Sequence, residues 1–487
     1  MESIQPQPAI PQAPPEQRPL VVDLDGTLVR SDLLVESAFS LLKRKPLALF
    51  AMLLWTLKGR AFLKQEIARR VELDCALLPF HEEFLQFLRA ESQAGRTLVL
   101  ATASDAKIAT AVAEFLGLFK QVLASDGSLN LSGQHKRLAL EQAFGAEGFD
   151  YAANAQVDLS IWAAAESALL VNPEPGVQQA AEAQGRVTRI FDDRSASKWK
   201  LYLRALRAHQ WLKNLLLFVP MVLAHKVSDL QLVGQAMVAF LAFSLTASSV
   251  YLLNDLLDLE DDRRHPSKRL RPFAAGTLST LSGTLLIPLL LAAAFALTLT
   301  LPGNFLAVLA LYYVVTLTYS LRLKQFALVD VLTLCALYTL RIIAGAMAIA
   351  ILPSFWLLVF SMFLFLSMAL AKRVTELQIM QQQGLSTSPG RGYQTRDMET
   401  LSQFGSASAL MAVLVLALYI NSDAVTQLYQ YPELIWLLCP LLLYMLTRIW
   451  LLTRRGELHE DPVVFLIRDR ISQGIALASG LLLWLAA

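Results

Sequence analysis

Polar and apolar positions divide this chain in two. Up to about residue 200 charged residues recur at ordinary frequency, and beyond that the sequence becomes long apolar runs broken by short charged loops. From about Asn214 onward, roughly nine apolar segments are long enough, or nearly so, to cross a bilayer as helices of about 20 residues. They lie near 212 to 228, 232 to 253, 282 to 300, 304 to 321, 328 to 351, 354 to 371, 406 to 422, 433 to 452 and 472 to 487. The pattern predicts an all-α polytopic membrane domain behind a separate amino-terminal domain. In that first domain LVVDLDGTL (20 to 28) and LVLATAS (98 to 104) read as strands. One stretch inside it, PLALFAMLLWTL from Pro46 to Leu57, is apolar but too short to span. It is expected either to rest on the membrane or the second domain, or to be a buried core helix.

Composition agrees with the division. Of the 487 residues, 55% are hydrophobic and 17% charged, where a soluble domain averages roughly 25% charged. A formal net charge of +2 excludes a strongly basic nucleic-acid binder. Cys75, Cys335 and Cys439 form no CxxC and the histidines show no metal-ligand spacing, so neither disulfides nor structural zinc are expected. The Pro- and Gln-rich start, residues 1–18, lacks a basic region followed by an apolar one. It reads as a disordered tail, and the domain behind it is expected to stay in the cytoplasm. The loops after the second, fourth, sixth and eighth predicted spans then hold Arg263, Arg264, Lys268, Arg269, Arg271, Arg322, Lys324, Lys372, Arg373, Arg391, Arg396, Arg454 and Arg455, against little more than Lys226 opposite. This asymmetry orients the protein in the cell membrane with its carboxyl terminus outward.

The DLDGT turn sets Asp23 and Asp25 at the carboxyl end of a strand, where open α/β sheets build their sites. Here the sequence resembles the haloacid dehalogenase (HAD) phosphatase superfamily. The resemblance implies a Rossmann-like α/β fold over residues 19–197, with Asp23 as nucleophile, Asp25 as general acid, Thr102 holding a phosphoryl oxygen and Lys136 neutralising nucleophile and phosphate. In YAANAQVDLSIW, Asn154 stands where an Asp is common and Asp158 is retained, so Asp23, Asp25 and Asp158 are the implied Mg²⁺ ligands. An aspartyl-phosphate mechanism needs a carboxylate, an acid and a cation, and all three are present. The weakened metal set also fits a degenerate regulatory domain.

In NDLLDLEDDRRHPSKRLRPFAAG (254 to 276), Asn254, Asp258 and Asp262 recur every four residues with Asp255 beside the first. On a helix they share a face. Oxygen ligands in such a row suit Mg²⁺, which is held by one or two carboxylates plus substrate phosphates. Arg263, Lys268, Arg269 and Arg271 follow and suit phosphate oxygens. Over roughly 200 to 487 the chain resembles the UbiA superfamily of intramembrane prenyltransferases, whose NDxxDxxxD motif binds Mg²⁺ and the diphosphate leaving group. The resemblance implies a UbiA-type domain at 198–487. Members acting on aromatic acceptors carry a second motif, DxxxD. This sequence offers only Tyr319, Lys324 and a single Asp330 in YSLRLKQFALVDV.

That departure, with RRHPSKRLRP, is similar to the decaprenyl-phosphate phosphoribosyltransferase branch. It implies phosphoribosyl pyrophosphate as donor, a polyprenyl phosphate as acceptor, and a HAD domain able to remove the 5-phosphate from the product. Lys213, Asn214, Lys372, Arg373, Glu376, Asp461 and Arg468 lie at cytoplasmic span ends and are expected to line the same mouth, each also serving equally well as an interfacial anchor. Arg341 falls inside a span, where a charge is costly, and is expected to meet either a carboxylate or a phosphate. The alternative reading is a prenyltransferase moving a prenyl group from a prenyl diphosphate. A transporter is disfavoured, because nearly all charges sit at one interface rather than at the midplane.

Overall fold

The computed structural model describes residues 18–194, 197–384, 386, 391–422, 429–458 and 461–486. The tail expected at 1–18 lies, but for Arg18, outside the described residues. The chain forms two compact units. The first takes the chain to Ala205 together with Leu253–Leu285, and the second takes Leu206–Leu252 with Leu286–Ala487.

In the first unit a six-stranded parallel sheet has the order β3-β2-β1-β4-β5-β6, with β1 Leu20–Val22, β2 Leu98–Asp105, β3 Gln121–Ser125, β4 Asp150–Ala153, β5 Ser167–Val171 and β6 Val187–Phe191. The β1 triplet is wholly buried, as a strand covered on both faces must be. Leu20 and Val22 pack on one side with Leu98, Leu100 and Phe84, while Val21 packs on the other with Val99, Tyr151 and Trp162. β1 lies between β2 and β4, where the strand order reverses. Asp23 therefore leaves the sheet at the crevice where such folds bind ligands.

Two helices follow that crevice. α1 (Leu33–Arg44) is capped by Asp32, whose carboxylate accepts from the Val35 amide at 3.0 Å. α2 (Ala48–Leu57) buries none of its residues. Leu47, Phe50, Leu54 and Leu57 are 78, 67, 63 and 83% exposed. The core-helix alternative for residues 46 to 57 is thereby excluded. α3 (Gln134–Phe144) carries Lys136 into the interior.

Among the described residues, seven helices are long and apolar enough to cross a membrane: α4 (Leu230–Leu257), α6 (Thr280–Thr298), α7 (Gly303–Leu321), α8 (Val329–Ala348), α9 (Phe355–Gln382), α10 (Thr395–Ile420) and α11 (Pro432–Arg455). A short α5 (Leu259–Arg264) follows α4. Two of the nine expected segments differ. The run at 212 to 228 is a 3-10 helix over Ala208–Phe218 and a short α-turn, Val219–Leu223, with Pro220 at its start. Proline fits there because the first turn needs no amide donor. The last segment, α12 (Arg470–Ala486), has 17 residues, about 26 Å of α-helix against a hydrocarbon core of about 30 Å.

Within the second unit α8 meets the 3-10 segment at Gly345, where an added Cβ would stand 2.0 Å from the Leu217 carbonyl oxygen. Small residues permit such approaches between membrane segments. Replacing Gly345 by Val must push these backbones apart and is expected to cost about 1–3 kcal/mol. Gly234→Ala, which meets nothing within 4 Å, is expected to be neutral. Thermal unfolding of the detergent-solubilised chain measures both.

Candidate functional site

The HAD-like constellation assembles at the carboxyl ends of β1, β2 and β4. Lys136 donates to Asp23 at 2.7 Å and to the Tyr151 hydroxyl at 3.0 Å, and Tyr151 donates to Asp158, also at 3.0 Å. Asp158 also accepts from the Ala155 amide. Asp25 accepts from the Leu33 amide at 2.8 Å, from Ser104 at 2.7 Å and from Thr102 at 3.4 Å. Thr102 is fully buried, and its oxygen also accepts from the Ser104 amide. Asn154 takes a hydrogen bond from Thr27 and lies against Gly26, whose φ of +78° and 2.6 Å clearance to the Asn154 amide nitrogen admit no side chain.

Burial, then Asp32 and Asp23, push Asp25 up to about 7. Burial and Asp23 lift Asp158 to about 6 against the pull of Lys136. Burial disfavours the Lys136 charge, yet Asp23 and Asp158 outweigh it and leave the ammonium above its ordinary value. A carboxyl poised near neutrality beside a carboxylate held by a lysine is an acid next to a nucleophile. Asp25 and Asp158, both raised by burial and by the nearby Asp23, are carboxyls that a divalent cation would relieve. The residues therefore fit Mg²⁺, with Asn154 contributing a neutral side chain.

The motif of residues 254 to 271 also belongs to the first unit. The helix breaks at Asp258, which caps α5 rather than continuing α4. Asp255 and Asp262, each 2% exposed, converge on one nitrogen of Arg271 at 3.2 and 2.6 Å. Burial raises Asp262, with Arg271 opposing. Asp258 departs from the expected single face: its carboxylate lies 2.6 Å from Lys43 of α1, which also holds Asp261 at 2.6 Å. Arg263 is turned away from a phosphate role as well. It forks onto Glu36 of α1, at 2.8 Å for one contact, and donates to the Ala274 carbonyl. Lys268 and Arg269 are exposed, and Asn254 is half-buried. Among the described residues no three His, Cys, Asp or Glu side chains form a metal cluster. Two carboxylates meeting at one cationic point nonetheless match what Mg²⁺ takes from protein when substrate phosphates supply the rest.

The second unit gathers a different set. Lys213 and Lys372 share one oxygen of Asp461 at 2.8 and 2.9 Å, and the Tyr338 hydroxyl approaches its other oxygen at 3.4 Å. Arg341, 6% exposed, donates to Asn214 at 2.9 Å, to the Leu337 carbonyl at 2.6 Å and to Tyr312 at 3.2 Å. Phe243, Tyr312 and Tyr338 present their rings to it at 5.1 to 5.5 Å. Among the described residues these partners are all neutral, and the carboxylate that is one of the two expected partners is not among them. Among the described residues the cluster thus holds three cations and one carboxylate. Asp330 and Arg373, by contrast, are spent on each other: their ion pair is 2.7 Å long, 0 and 1% exposed, and joined by Tyr319 at 2.8 Å and by Glu376. Lys324 sits on a separate 3-10 turn, Leu323–Gln325.

Sequence reasoning missed Ser104, Tyr151, Tyr338 and Lys43. Ser104 follows Thr102 by two positions, the spacing of one strand face, and Tyr338 precedes Arg341 by one helical turn. Those periodicities carried a signal. The pairing of Lys43 with Asp258 across the sequence carried none.

Comparison with known proteins matches residues 215–471 to the UbiA prenyltransferase family and residues 20–157 to the haloacid dehalogenase-like hydrolases. The Sinorhizobium fredii protein y4nM, described as uncharacterized, is 39% identical over 93% of this chain and 88% of its own length. A decaprenyl-phosphate phosphoribosyltransferase of Mycobacterium tuberculosis is 31% identical over 57% of this chain and 90% of its own. A solved UbiA homolog from Archaeoglobus fulgidus bound to GPP and Mg²⁺ is 18% identical, covering 58% of this chain and 97% of that one with a TM-score of 0.45.

The Glu36–Arg263 fork has side chains only 4 and 7% exposed. Glu36→Ala would strand a buried guanidinium and is expected to cost about 3–5 kcal/mol, whereas Glu36→Met with Arg263→Met is expected to recover most of it. Thermal unfolding of the purified full chain distinguishes the two.

Proposed function

This chain belongs to the UbiA prenyltransferase family and carries a haloacid dehalogenase-like domain ahead of its membrane domain, and from that premise we propose that it transfers 5-phosphoribose from phosphoribosyl pyrophosphate to a polyprenyl phosphate. The observation that supports the reading is the excess of cation among the described residues of the second unit, with Lys213 and Arg341 buried and Lys372 half-buried. Among the described residues Lys213 and Lys372 share one carboxylate, Asp461, while Arg341 is held by neutral partners. An aromatic acceptor needs no such charge, whereas a lipid phosphate does. Asp330 supports the same choice, because YSLRLKQFALVDV lacks the DxxxD spacing and Asp330 instead joins Glu376 in holding the buried Arg373.

Asp255 and Asp262, with Asn254 and Asp258, would hold Mg²⁺. Bound there, it would neutralise charge on the departing pyrophosphate. Arg271, already between two carboxylates, would take phosphate oxygens, with the exposed Lys268 and Arg269 to assist. The acceptor phosphate is a nucleophile at neutral pH, so its oxygen attacks the ribose C1 as the C1 to pyrophosphate bond breaks, and no strong base is required. In the HAD domain Asp23 attacks a phosphomonoester, Asp25 gives its proton to the leaving oxygen, Lys136 collects phosphate charge, and water then cleaves the aspartyl phosphate. Removal of the 5-phosphate from the lipid product would account for the fusion.

A multi-pass membrane protein with both sites at the cytoplasmic face of the cell membrane fits the basic loops. The 3-10 segment and short helix over Ala208–Leu223 measure about 30 Å at their usual rises, enough to traverse the bilayer before α4 returns. The carboxyl terminus then faces outward.

Membranes holding the protein, given polyprenyl phosphate, Mg²⁺ and either labelled phosphoribosyl pyrophosphate or labelled prenyl diphosphate, are expected to pass label into lipid only from the former. Label entering only from the prenyl donor overturns the reading. Asp262→Asn is expected to reduce transfer about 10²–10³-fold, and Asp23→Asn to abolish phosphate release while transfer persists.

A further inference from the structure

The cleft of the HAD-like site widens into a cavity of about 1080 Å³, and every residue of its lining belongs to the first unit. One wall carries Asp25, Gly26 and Asn154. Another carries Gly276, Leu281 and Ser282. Those last two residues sit in the first turn of α6, the helix Thr280–Thr298 that is long and apolar enough to span a membrane. One side of a phosphatase-like cavity is thus the point at which a membrane helix begins. Hydrocarbon starts about one or two turns beyond such a point, since the span has little length to spare.

A second span end is tied to the same unit. α4 finishes at Leu257, and Asp258 immediately after it is held by Lys43 near the end of α1. Two turns earlier, Glu36 of α1 grips Arg263 of α5. The amino end of α1 delivers the Leu33 amide to Asp25. One helix therefore runs from the acid of the HAD-like site to the level at which a membrane helix ends.

α2 starts four residues after α1 stops, and none of its residues is buried. Leu47, Leu49, Phe50, Leu53, Leu54 and Leu57 are all large, apolar and exposed. Basic residues bracket it: Lys43, Arg44 and Lys45 before, Lys58 and Arg60 after. An apolar helix framed by cations suits an interface of acyl chains and anionic headgroups, and its neighbour Lys43 is pinned beside a span end.

We propose that the HAD-like site receives phosphomonoesters carried on membrane lipids, with α2 seated in the bilayer surface and the start of α6 forming the wall past which the headgroup enters. The proposal rests on the phosphatase reading of Asp23 and Asp25 and narrows its substrates to a class. The volume suits a sugar-phosphate headgroup, being at the upper end for small-ligand pockets. Asn172, Gln178 and Gln179 along its side are groups that bond hydroxyls.

The test uses the full chain in nanodiscs containing phosphatidylglycerol, with inorganic phosphate release as the readout. Two pairs of probes set a lipid phosphomonoester against its soluble counterpart: polyprenyl phosphoribose 5-phosphate against ribose 5-phosphate, and phosphatidic acid against glycerol 3-phosphate. In whichever pair is hydrolysed, the lipid member is expected to be cleaved at least about tenfold faster at equal bulk concentration. Preference within the phosphatidic acid pair alone would sustain this proposal while overturning phosphoribosyl lipid as the substrate. A soluble partner cleaved as fast as its lipid overturns this proposal and leaves the phosphatase reading standing. Release from none of the four overturns both. Phe50→Asp with Leu54→Asp, which touches neither Asp23 nor Asp25, is expected to lower the lipid rate about tenfold and to leave the soluble rate unchanged. An unchanged lipid rate, or an equal fall in both, overturns the role of α2.

Discussion

A guanidinium closed onto a carboxylate organises the first unit: Arg263, just past a membrane helix, forks onto Glu36 of the α/β fold. Both side chains are almost fully buried, so each is tolerable only because the other is there. The pair fixes α1, and α1 fixes two further things. Its first amide bonds Asp25 and its last turn places Lys43 on Asp258 and Asp261. The HAD-like site and the acidic motif are consequently parts of one compact unit.

That arrangement alters how the acidic motif is read. As a sequence it is a ladder of oxygen ligands followed by bases. In the folded chain the ladder is divided: Asp255 and Asp262 converge on Arg271, Asp258 faces Lys43, and Arg263 is structural. Two carboxylates and two exposed cations, Lys268 and Arg269, are still compatible with a magnesium diphosphate, because substrate oxygens complete the coordination. Three neighbouring carboxylates without any cation would repel, and Arg271 and Lys43 offset that repulsion.

The second unit follows an opposite economy. Charges inside a membrane domain are normally cancelled, as Asp330 and Arg373 cancel. Arg341 is held instead by an amide, a carbonyl, a phenol and three aromatic faces. Such partners stabilise a guanidinium without neutralising it. Among the described residues Lys213 and Lys372 share one carboxylate, so this cluster carries net positive charge.

The sequence by itself determined the α/β unit, the membrane character, the DLDGT turn and the identity of the acidic motif, because hydropathy and strand-end chemistry are local and periodic. It also marked α2 as unusual, since a dozen apolar residues are too few to span. Only the tertiary structure decided which charges pair with one another. Glu36 with Arg263, Lys43 with Asp258, and Asp330 with Arg373 pair over 43 to 227 positions, and a charge has no periodicity that announces its partner. The 3-10 form of residues 208 to 218 was equally hidden, because hydropathy counts apolar residues without fixing the helix they make. Exposure of α2 was decided by what packs beside it, and that too is a property of the folded chain.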